Sequence, residues 1–310
     1  MNLQENNFFP EKKKRIFVLG ARGRLGATLI RTWKKSFPNV EVLGLGREEI
    51  DLQAPKAALE AMKACELTSG EVLINSAALT DVDRCQREPA LAKNVNALTP
   101  ALLASLAADR GVRFVQVSTD YVFDGLLERD YSEEDMPAPL SYYGVSKLEG
   151  EQGVLATSEN HIVARVSWIF GRDRPSFIDQ IIQRARHSKE VAAIDDKISS
   201  PSYTEDLARW FALFLKNETN VPGGIYHLCN SGNCSWRAYG EYALQYATSR
   251  GIPLLTSSVA PLKLAEMKNF LAPRPPRTSL RTTKFSTLLG HPLRSWQEAL
   301  EEYITTFYCT

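Results

Sequence analysis

RIFVLGARGRLG, at residues 15–26, joins a short apolar run to a Gly-x-x-Gly-x-x-Gly turn formed by Gly20, Gly23 and Gly26. The run is too uniformly apolar for a half-exposed strand, so it predicts a strand buried on both faces of a parallel sheet. Glycines at this spacing permit a tight turn, and they let backbone N–H groups approach a pyrophosphate at the start of the next helix. The segment therefore predicts a dinucleotide-binding site.

The same alternation of apolar runs and helical patterns continues to about residue 170. Further strands are expected at 40–45, 71–78, 113–119 and 162–170, and helices at 25–36, 55–65, 89–110 and 142–156. This order predicts an α/β fold with a doubly wound parallel (Rossmann) sheet, whose ligand lies beyond the carboxyl ends of the strands.

Beyond residue 172 the pattern is less regular. Helical stretches are expected at 176–188, 203–216, 236–250 and 295–307, between pieces rich in proline and glycine. We therefore expect a polar, mobile leader at 1–14 and an NADP-binding Rossmann domain at 15–172. Residues 173–310 are expected to form mainly a smaller substrate-binding lid, with segments that return to the Rossmann domain.

Composition excludes several classes of protein. The chain has 310 residues, of which 44% are hydrophobic and 24% charged, as in ordinary globular proteins. Its net charge of +1 argues against binding nucleic acid through a global field. No apolar run is long enough to span a membrane, and the N-terminus does not have the pattern of a secretory signal. The five cysteines form no CxxC pair and predict reduced thiols in a cytoplasmic protein.

The residues after the second strand bear on the type of cofactor. NAD sites usually have an acidic residue there that binds the ribose 2′-hydroxyl, whereas this chain has Gly44-Leu45-Gly46-Arg47. Arg22, in the glycine turn, and Arg47 are candidates for binding a 2′-phosphate, and the alternative is that both are solvated surface arginines. NADPH is therefore favoured, with NADH as the alternative, and Asp51-Leu52 is expected to border the adenine.

A second cluster carries the chemistry of a reductase. STDYVFDG (118–125) ends the fourth strand, and Tyr143 and Lys147 follow at a spacing that puts them on one helix face. A reductase needs a proton donor for the oxygen of the carbonyl that receives hydride. A neighbouring ammonium favours the phenolate and brings the pKa of tyrosine nearer to neutrality. Thr119 is positioned to hold the same substrate oxygen, so these three residues form a candidate reaction centre.

With these motifs the sequence resembles the extended short-chain dehydrogenase/reductases and, within them, the dTDP-4-dehydrorhamnose reductase family. The resemblance runs from Arg15 to the C-terminal region, and STDYVFDG is its most specific match. The other matching segments, in the family's order, are the glycine turn, NSAALTDVDRCQREP (75–89), Asn96, YYGVSKLEGE (142–151), RVSWIF (165–170), IYHL (225–228) and RPPRTSL (274–280).

The resemblance implies NADPH-dependent reduction of the 4-keto group of dTDP-4-dehydro-β-L-rhamnose to dTDP-L-rhamnose. It implies Tyr143 as proton donor, with Lys147 and Thr119 as its partners, and it places Asp120 and Trp168 at the sugar nucleotide. The implied cofactor-lining residues are Gly23, Arg24, Leu25, Asp51, Leu52, Ala78, Leu79 and Thr80. Together with Gly20, Arg22, Gly26, Arg47, Asn96, Tyr143 and Lys147, they make up the expected cofactor site.

Several side chains have two interpretations. Trp168 is either a stacking platform for the deoxysugar or part of the core. Arg274 and Arg277 either bind the substrate diphosphate or are loop surface charges. The four histidines are scattered, without a metal-ligand spacing.

Relatives within the superfamily suggest alternative functions. In sugar-nucleotide dehydratases the catalytic threonine is followed by two acidic residues. Here Asp120 is followed by Tyr121, which favours simple reduction. Some rhamnose-pathway reductases bridge a dimer with Mg²⁺ through a glutamate where this chain has Thr28, which puts that metal-bridged dimer in doubt.

Two alternative functions stay open. The chain also resembles the non-catalytic, NADP-binding regulatory subunit of methionine adenosyltransferase, and the second alternative is reduction of another 4-keto nucleotide sugar. The expected partner is a nucleotide sugar, without nucleic acid or membrane, in a monomer or homodimer.

Overall fold

The computed structural model describes residues 14–215 and 221–309. The predicted leader lies outside the described residues apart from Lys14. The strands are, in chain order, β1 (Arg15–Leu19), β2 (Glu41–Leu45), β3 (Val72–Asn75), β4 (Arg113–Thr119), β5 (Ile162–Val166), β6 (Ile169–Phe170), β7 (Ala192–Ile194), β8 (Ile198–Ser199), β9 (Ser202–Tyr203), β10 (Gly224–Leu228), β11 (Cys234–Ser235) and β12 (Ala260–Leu262).

Helices alternate with the long strands in the first half of the chain and dominate the second half. They are α1 (Arg24–Ser36), α2 (Pro55–Lys63), α3 (Val82–Arg87), α4 (Pro89–Lys93), α5 (Thr99–Asp109), α6 (Tyr142–Leu155), α7 (Phe177–His187), α8 (Thr204–Phe211), α9 (Trp236–Ser249), α10 (Thr283–Leu289) and α11 (Trp296–Tyr308). A π-helical turn at Asn94–Leu98 joins α4 to α5. Among the described residues, no helix is long and apolar enough to cross a membrane.

The long strands form one parallel six-stranded sheet in the order β10-β5-β4-β3-β1-β2. Its central strands are apolar on both faces, as the uniform run in β1 predicts. Ile16 and Val18 pack into the hydrophobic cluster on one face, and Phe17 and Leu19 pack into the cluster on the other. The predicted doubly wound Rossmann sheet is confirmed.

Two predicted elements are interrupted. The strand expected at 162–170 ends at Val166, and β6 instead pairs with β9, because the backbone turns at Trp168 with a φ of +42°. The helix expected at 89–110 contains the π-helical turn. Pro100 has no N–H to donate to the carbonyl of Asn96, four residues earlier, which favours a widened turn at this point.

The C-terminal half of the chain contributes to the large sheet and also forms a separate helical cluster. Strand β10 extends the large sheet beyond β5, and the side chain of Trp33 in α1 donates to the carbonyl of Ala208 in α8 at 2.9 Å. Helices α7, α9 and α11 pack around a separate, aromatic-rich cluster that includes Phe170 and Tyr239.

Two helical glycines provide a test of this packing. A Cβ added at Gly150 in α6 would clash with the carbonyl oxygen of Asn96, whereas one added at Gly240 in α9 would make ordinary contacts, the nearest at 3.5 Å. We expect Gly150→Ala to lower the free energy of unfolding by about 1–3 kcal/mol, since the backbone must shift.

The matched variant Gly240→Ala should be neutral or more stable by up to about 1 kcal/mol, because alanine favours helix. Urea denaturation of both variants measures the difference. Equal stability of the two would contradict the close approach of α6 to the π-helical turn.

Candidate active site

The glycine turn that follows β1 is held tightly against its surroundings. Gly20 has a φ of +81°, and a Cβ added there would lie 2.8 Å from the amide nitrogen of Ala77. A Cβ at Gly26 would clash with the carbonyl oxygen of Gly20. The glycines are therefore required for the turn itself and for its approach to the loop after β3.

Two arginines fasten the segment 169–175 across this turn. The Arg24 guanidinium donates to the carbonyls of Ile169 at 3.1 Å and Pro175 at 2.5 Å. In the opposite direction, Nε of Arg174 donates to the carbonyl of Arg22 at 2.8 Å. Arg24 therefore lies in the predicted cofactor region, but its guanidinium is hydrogen-bonded to backbone carbonyls of the protein. Leu25, also predicted to line the cofactor, is buried in the core.

The residues after β2 contain an acid that the sequence interpretation missed. Glu48 forms a two-pronged ion pair with Arg22, with both N–O distances at 2.9 Å. Arg47, the other predicted 2′-phosphate ligand, is exposed. The signal was present in the Glu48-Glu49 pair, which follows the strand end by a few residues instead of directly.

Asp51 and Leu52, predicted to border the adenine, lie in the loop that leads to α2. The Asp51 carboxylate accepts from the amide of Gln53 at 3.1 Å. Leu52 is buried, and its carbonyl accepts from the Thr99 hydroxyl at 2.7 Å. This part of the predicted site is thus held by local hydrogen bonds.

Asn96 connects the loop after β3 to helix α6. Its side chain bonds both the amide and the carbonyl of Leu79, at 2.9 and 3.1 Å, and donates to the hydroxyl of Ser146 at 3.0 Å. Ala78 and Thr80 flank Leu79 in the same loop. Asn96 is buried, so it positions this predicted cofactor-lining loop from behind.

The predicted reaction centre is brought together at the end of β4. Thr119 accepts from the amide of Tyr121 at 3.2 Å, and its side chain is close enough to the Tyr143 phenol to lower the pKa of that group. Ser141 caps the N-terminus of helix α6, and its hydroxyl accepts from the amide of Gly144 at 3.4 Å. A Cβ at Gly144 would clash with the carbonyl of Tyr121, so this glycine lets the first turn of α6 reach the strand end.

Burial shifts the pKa of both titrating groups of the centre, Tyr143 and Lys147. It raises the pKa of Tyr143, and the hydrogen bond with Thr119 lowers that pKa by a smaller amount. Burial lowers the pKa of Lys147 to about 8 against the opposing charge of Glu151. The Lys147 ammonium donates to the carbonyl of Val117 at 2.6 Å. The expected lowering of the Tyr143 pKa by Lys147 stays a prediction.

Asp120 lies beneath this centre and is only 4% exposed. Its Oδ1 lies 3.1 Å from the Thr119 hydroxyl, and Oδ2 accepts from Ser167 at 2.8 Å and Thr278 at 2.5 Å. Burial raises the pKa of Asp120, while the charge of Lys197 opposes that shift. The carboxylate predicted to bind substrate is here surrounded by hydroxyl groups of the protein.

A second buried charge pair supports the catalytic helix. Glu151, one turn after Lys147, forms an ion pair with Arg165 on β5 at 2.6 Å and accepts from the Ser118 hydroxyl on β4. Neither charged side chain is more than 1% exposed. The sequence interpretation did not single out these residues, although Glu151 follows Lys147 at helical spacing.

Trp168 combines features of both its interpretations. It is partly buried and stacks with Trp236 at 5.6 Å between ring centroids, and its ring is tilted against that of Tyr239 at 4.6 Å. It also lines a cavity of about 180 Å³, together with Arg24 and Tyr239. Its ring is thus packed against aromatic neighbours and borders an open space.

The arginines predicted to bind a diphosphate are paired with carboxylates. Arg274 makes two bonds to Asp83, at 2.8 and 2.9 Å, and these hold the pKa of Asp83 down at about 2. Arg277 lies 3.6 Å from Asp130. Asp83, which also accepts from the amide of Ala272, fixes this loop and was missed as a partner.

Thr28, which stands where the resemblance implies a bridging glutamate in some reductases, donates to the carboxylate of Asp173 at 2.7 Å. Within 14–215 and 221–309, no group of three or more acidic, histidine or cysteine side chains is arranged to hold a metal ion.

Comparisons with known proteins identify the family. Residues 14–309 match the family model described as RmlD substrate binding domain. The chain is 31% identical over 290 residues to the spore coat polysaccharide biosynthesis protein SpsK of Bacillus subtilis, covering 94% of this chain and 96% of that protein. It is 33% identical over 294 residues to the dTDP-4-dehydrorhamnose reductase of Mycobacterium tuberculosis, covering 93% and 92%.

A crystal structure of dTDP-4-dehydrorhamnose reductase from Bacillus anthracis, in complex with NADP, superimposes with a TM-score of 0.83. The two sequences are 27% identical, and the match covers 96% of this chain and all of that one. The resemblance seen in the sequence motifs is thereby confirmed, and the chain belongs to the RmlD family of dTDP-4-dehydrorhamnose reductases within the extended short-chain dehydrogenase/reductases.

Proposed function

We propose that this protein is an NADPH-dependent oxidoreductase of dTDP-rhamnose biosynthesis. It reduces the 4-keto group of dTDP-4-dehydro-β-L-rhamnose to give dTDP-L-rhamnose. The observation that carries the proposal is the cluster of Thr119, Tyr143 and Lys147 at the carboxyl end of β4, in a chain of this family. A catalytic cluster distinguishes a reductase from a subunit that only binds NADP.

In this mechanism NADPH supplies the hydride that the carbonyl carbon receives. The Tyr143 hydroxyl gives its proton to the carbonyl oxygen as negative charge develops there. Burial keeps Tyr143 protonated at neutral pH, as a proton donor requires. Lys147 holds the nicotinamide ribose, with one of its N–H groups anchored on the carbonyl of Val117.

The fit of the cofactor rests on the glycine turn. Gly20, Gly23 and Gly26 expose backbone at the start of α1, where a pyrophosphate is favoured. Arg22 and Arg47 follow as ligands for the 2′-phosphate, and the loop held by Asn96 forms the opposite wall. The remaining proposed cofactor residues are Arg24, Leu25, Asp51, Leu52, Ala78, Leu79, Thr80, Tyr143 and Lys147.

The proposed substrate residues are Thr119, Asp120, Trp168 and Arg274. Trp168 offers an aromatic face beside an open cavity, which suits a deoxysugar. Arg274 would have to share its guanidinium between Asp83 and the diphosphate. In this proposal residues 15–172 bind the cofactor, and 173–310 mainly cover the substrate while returning β10 to the sheet.

An NADPH-oxidation assay against a panel of 4-keto nucleotide sugars tests the proposal. We expect the dTDP-linked 4-keto-rhamnose to have the highest kcat/KM. Preference for another sugar would change the substrate but not the chemistry. NADPH binding without turnover of any keto sugar would favour the regulatory-subunit alternative.

Tyr143→Phe removes the proton donor and keeps the ring. We expect kcat to fall by about 10²–10⁴-fold, the usual contribution of general acid catalysis. NADPH affinity and Tm should be unchanged. Tyr121→Phe, a matched change in the ring that lies 5.5 Å away, should leave kcat within a few-fold. Turnover by Tyr143→Phe at the parent rate would reject this proton donor.

The pKa of Lys147 predicts how cofactor binding depends on pH. Lys147 carries its charge below about pH 8 and loses it above, since burial lowers its pKa. NADPH affinity of the parent should therefore decrease as the pH rises through this value. Lys147→Met should bind NADPH more weakly at neutral pH and should lose this decrease. Lys197 also has a pKa lowered to about 8. If the NADPH affinity of Lys147→Met still decreases through this pH, the decrease belongs to a group other than Lys147.

Trp168→Ala distinguishes a Trp168 that stacks on the sugar from one that only packs in the core. If the ring contacts the sugar, KM for the nucleotide sugar should rise while the Kd for NADPH is unchanged. The loss of aromatic packing should also lower stability, but by less than the ~3–5 kcal/mol typical of a fully buried tryptophan. A large fall in Tm with an unchanged KM would support a purely structural tryptophan.

A further inference from the structure

The Arg22–Glu48 ion pair occupies a defined place beside the end of β2. A Cβ added at Gly46 would lie 3.6 Å from Nε and 3.9 Å from Cδ of Arg22, so the arginine stem runs past this glycine. The amide of Gly46 is bonded to the carboxylate of Glu49 at 2.7 Å. The guanidinium is thus held where a Rossmann sheet meets the adenosine ribose of its dinucleotide.

This pair is open to exchange. The side chains of Arg22 and Glu48 are 65% and 72% exposed, and an ion pair so open to solvent adds little to stability. A 2′-phosphate carries more charge than a carboxylate and offers several acceptor oxygens to the same guanidinium fork. It should therefore replace Glu48 as the partner of Arg22 at little cost.

The exchange has different consequences for the two cofactors. With NADPH, the displaced Glu48 carboxylate stays close to the phosphate and repels it. With NADH there is no phosphate, and the same carboxylate is an acceptor for the ribose 2′-hydroxyl. Glu49 is not equivalent, because its carboxylate is bonded to the Gly46 amide.

We propose that Glu48 is a specificity-determining residue that competes with the 2′-phosphate of NADPH for Arg22 and accepts the 2′-hydroxyl of NADH. It reduces the preference for NADPH that Arg22 creates. This inference rests on the proposed NADPH-dependent function and adds the residue that limits its cofactor selectivity.

The test is the Kd of the full-length protein for NADPH and for NADH, measured by nucleotide fluorescence without sugar substrate. Glu48→Gln should tighten NADPH by about three- to tenfold at low salt, because one negative charge is removed near the phosphate. NADH should bind equally well or more weakly. The gain for NADPH should shrink at high ionic strength, where such exposed charges are screened.

Arg22 provides the second arm of the experiment. Arg22→Ala should weaken NADPH by about tenfold or more and leave NADH within about twofold, since only the phosphate uses a charge-assisted bond. In Arg22→Ala/Glu48→Gln, the tightening caused by the glutamine should be smaller than in the parent background, because the competition for Arg22 is gone. This non-additivity separates competition from simple charge repulsion.

Glu60→Gln is the matched control. Glu60 is also an exposed partner of a cation, Lys63, at 2.8 Å on helix α2. Its substitution removes the same charge and should leave the ratio of the two Kd values unchanged. An unchanged ratio in Glu48→Gln, or weaker NADPH binding, would overturn the inference.

The outcomes separate this inference from the proposed function. If the parent oxidises NADPH with a 4-keto nucleotide sugar while Glu48→Gln has the parent's Kd ratio, only the role of Glu48 is rejected. If the parent binds neither cofactor, both the function and the inference are rejected.

Discussion

The position of helix α6 depends on backbone contacts that only glycine permits. At Gly144 the helix meets the carbonyl of Tyr121, and at Gly150 it meets the carbonyl of Asn96. These two contacts set the distance of Tyr143 and Lys147 from the end of β4. The buried pair of Glu151 and Arg165 adds a directional constraint, because a buried carboxylate without its partner is strongly unfavourable.

Most of the charge around the candidate site is already paired within the protein. Arg24 is bonded to backbone carbonyls, Arg274 to Asp83, and Asp120 to hydroxyl groups. Arg22 differs, since its partner Glu48 is exposed. The buried contacts therefore fix geometry, whereas the exposed Arg22–Glu48 pair leaves the guanidinium open to solvent.

The sequence predicted the sheet and the clustering of Tyr143 and Lys147 at the end of β4 because both depend on short-range patterns. A uniform apolar run reports a strand buried on both faces, and Tyr143 and Lys147 are neighbours by helical spacing alone. Sequence reasoning expected C-terminal segments to return to the Rossmann domain but did not identify β10 as a strand, and it missed the Arg22–Glu48 and Asp83–Arg274 pairs. Each of these joins residues far apart in the chain, and no local pattern reports such contacts. The break at Trp168 was missed because its positive φ follows from tertiary packing.

The place of β10 affects how the molecule can be assembled during synthesis. The hydrogen-bonding partner of one edge of β5 is made only when the ribosome has passed residue 228, so until then β5, and not β10, is the edge strand of the nascent sheet. A fragment cut after residue 172 would keep that edge and lack α8, which packs on α1. The N-terminal half is therefore not expected to be an autonomous folding unit, because residues synthesised late supply the sixth strand of its sheet.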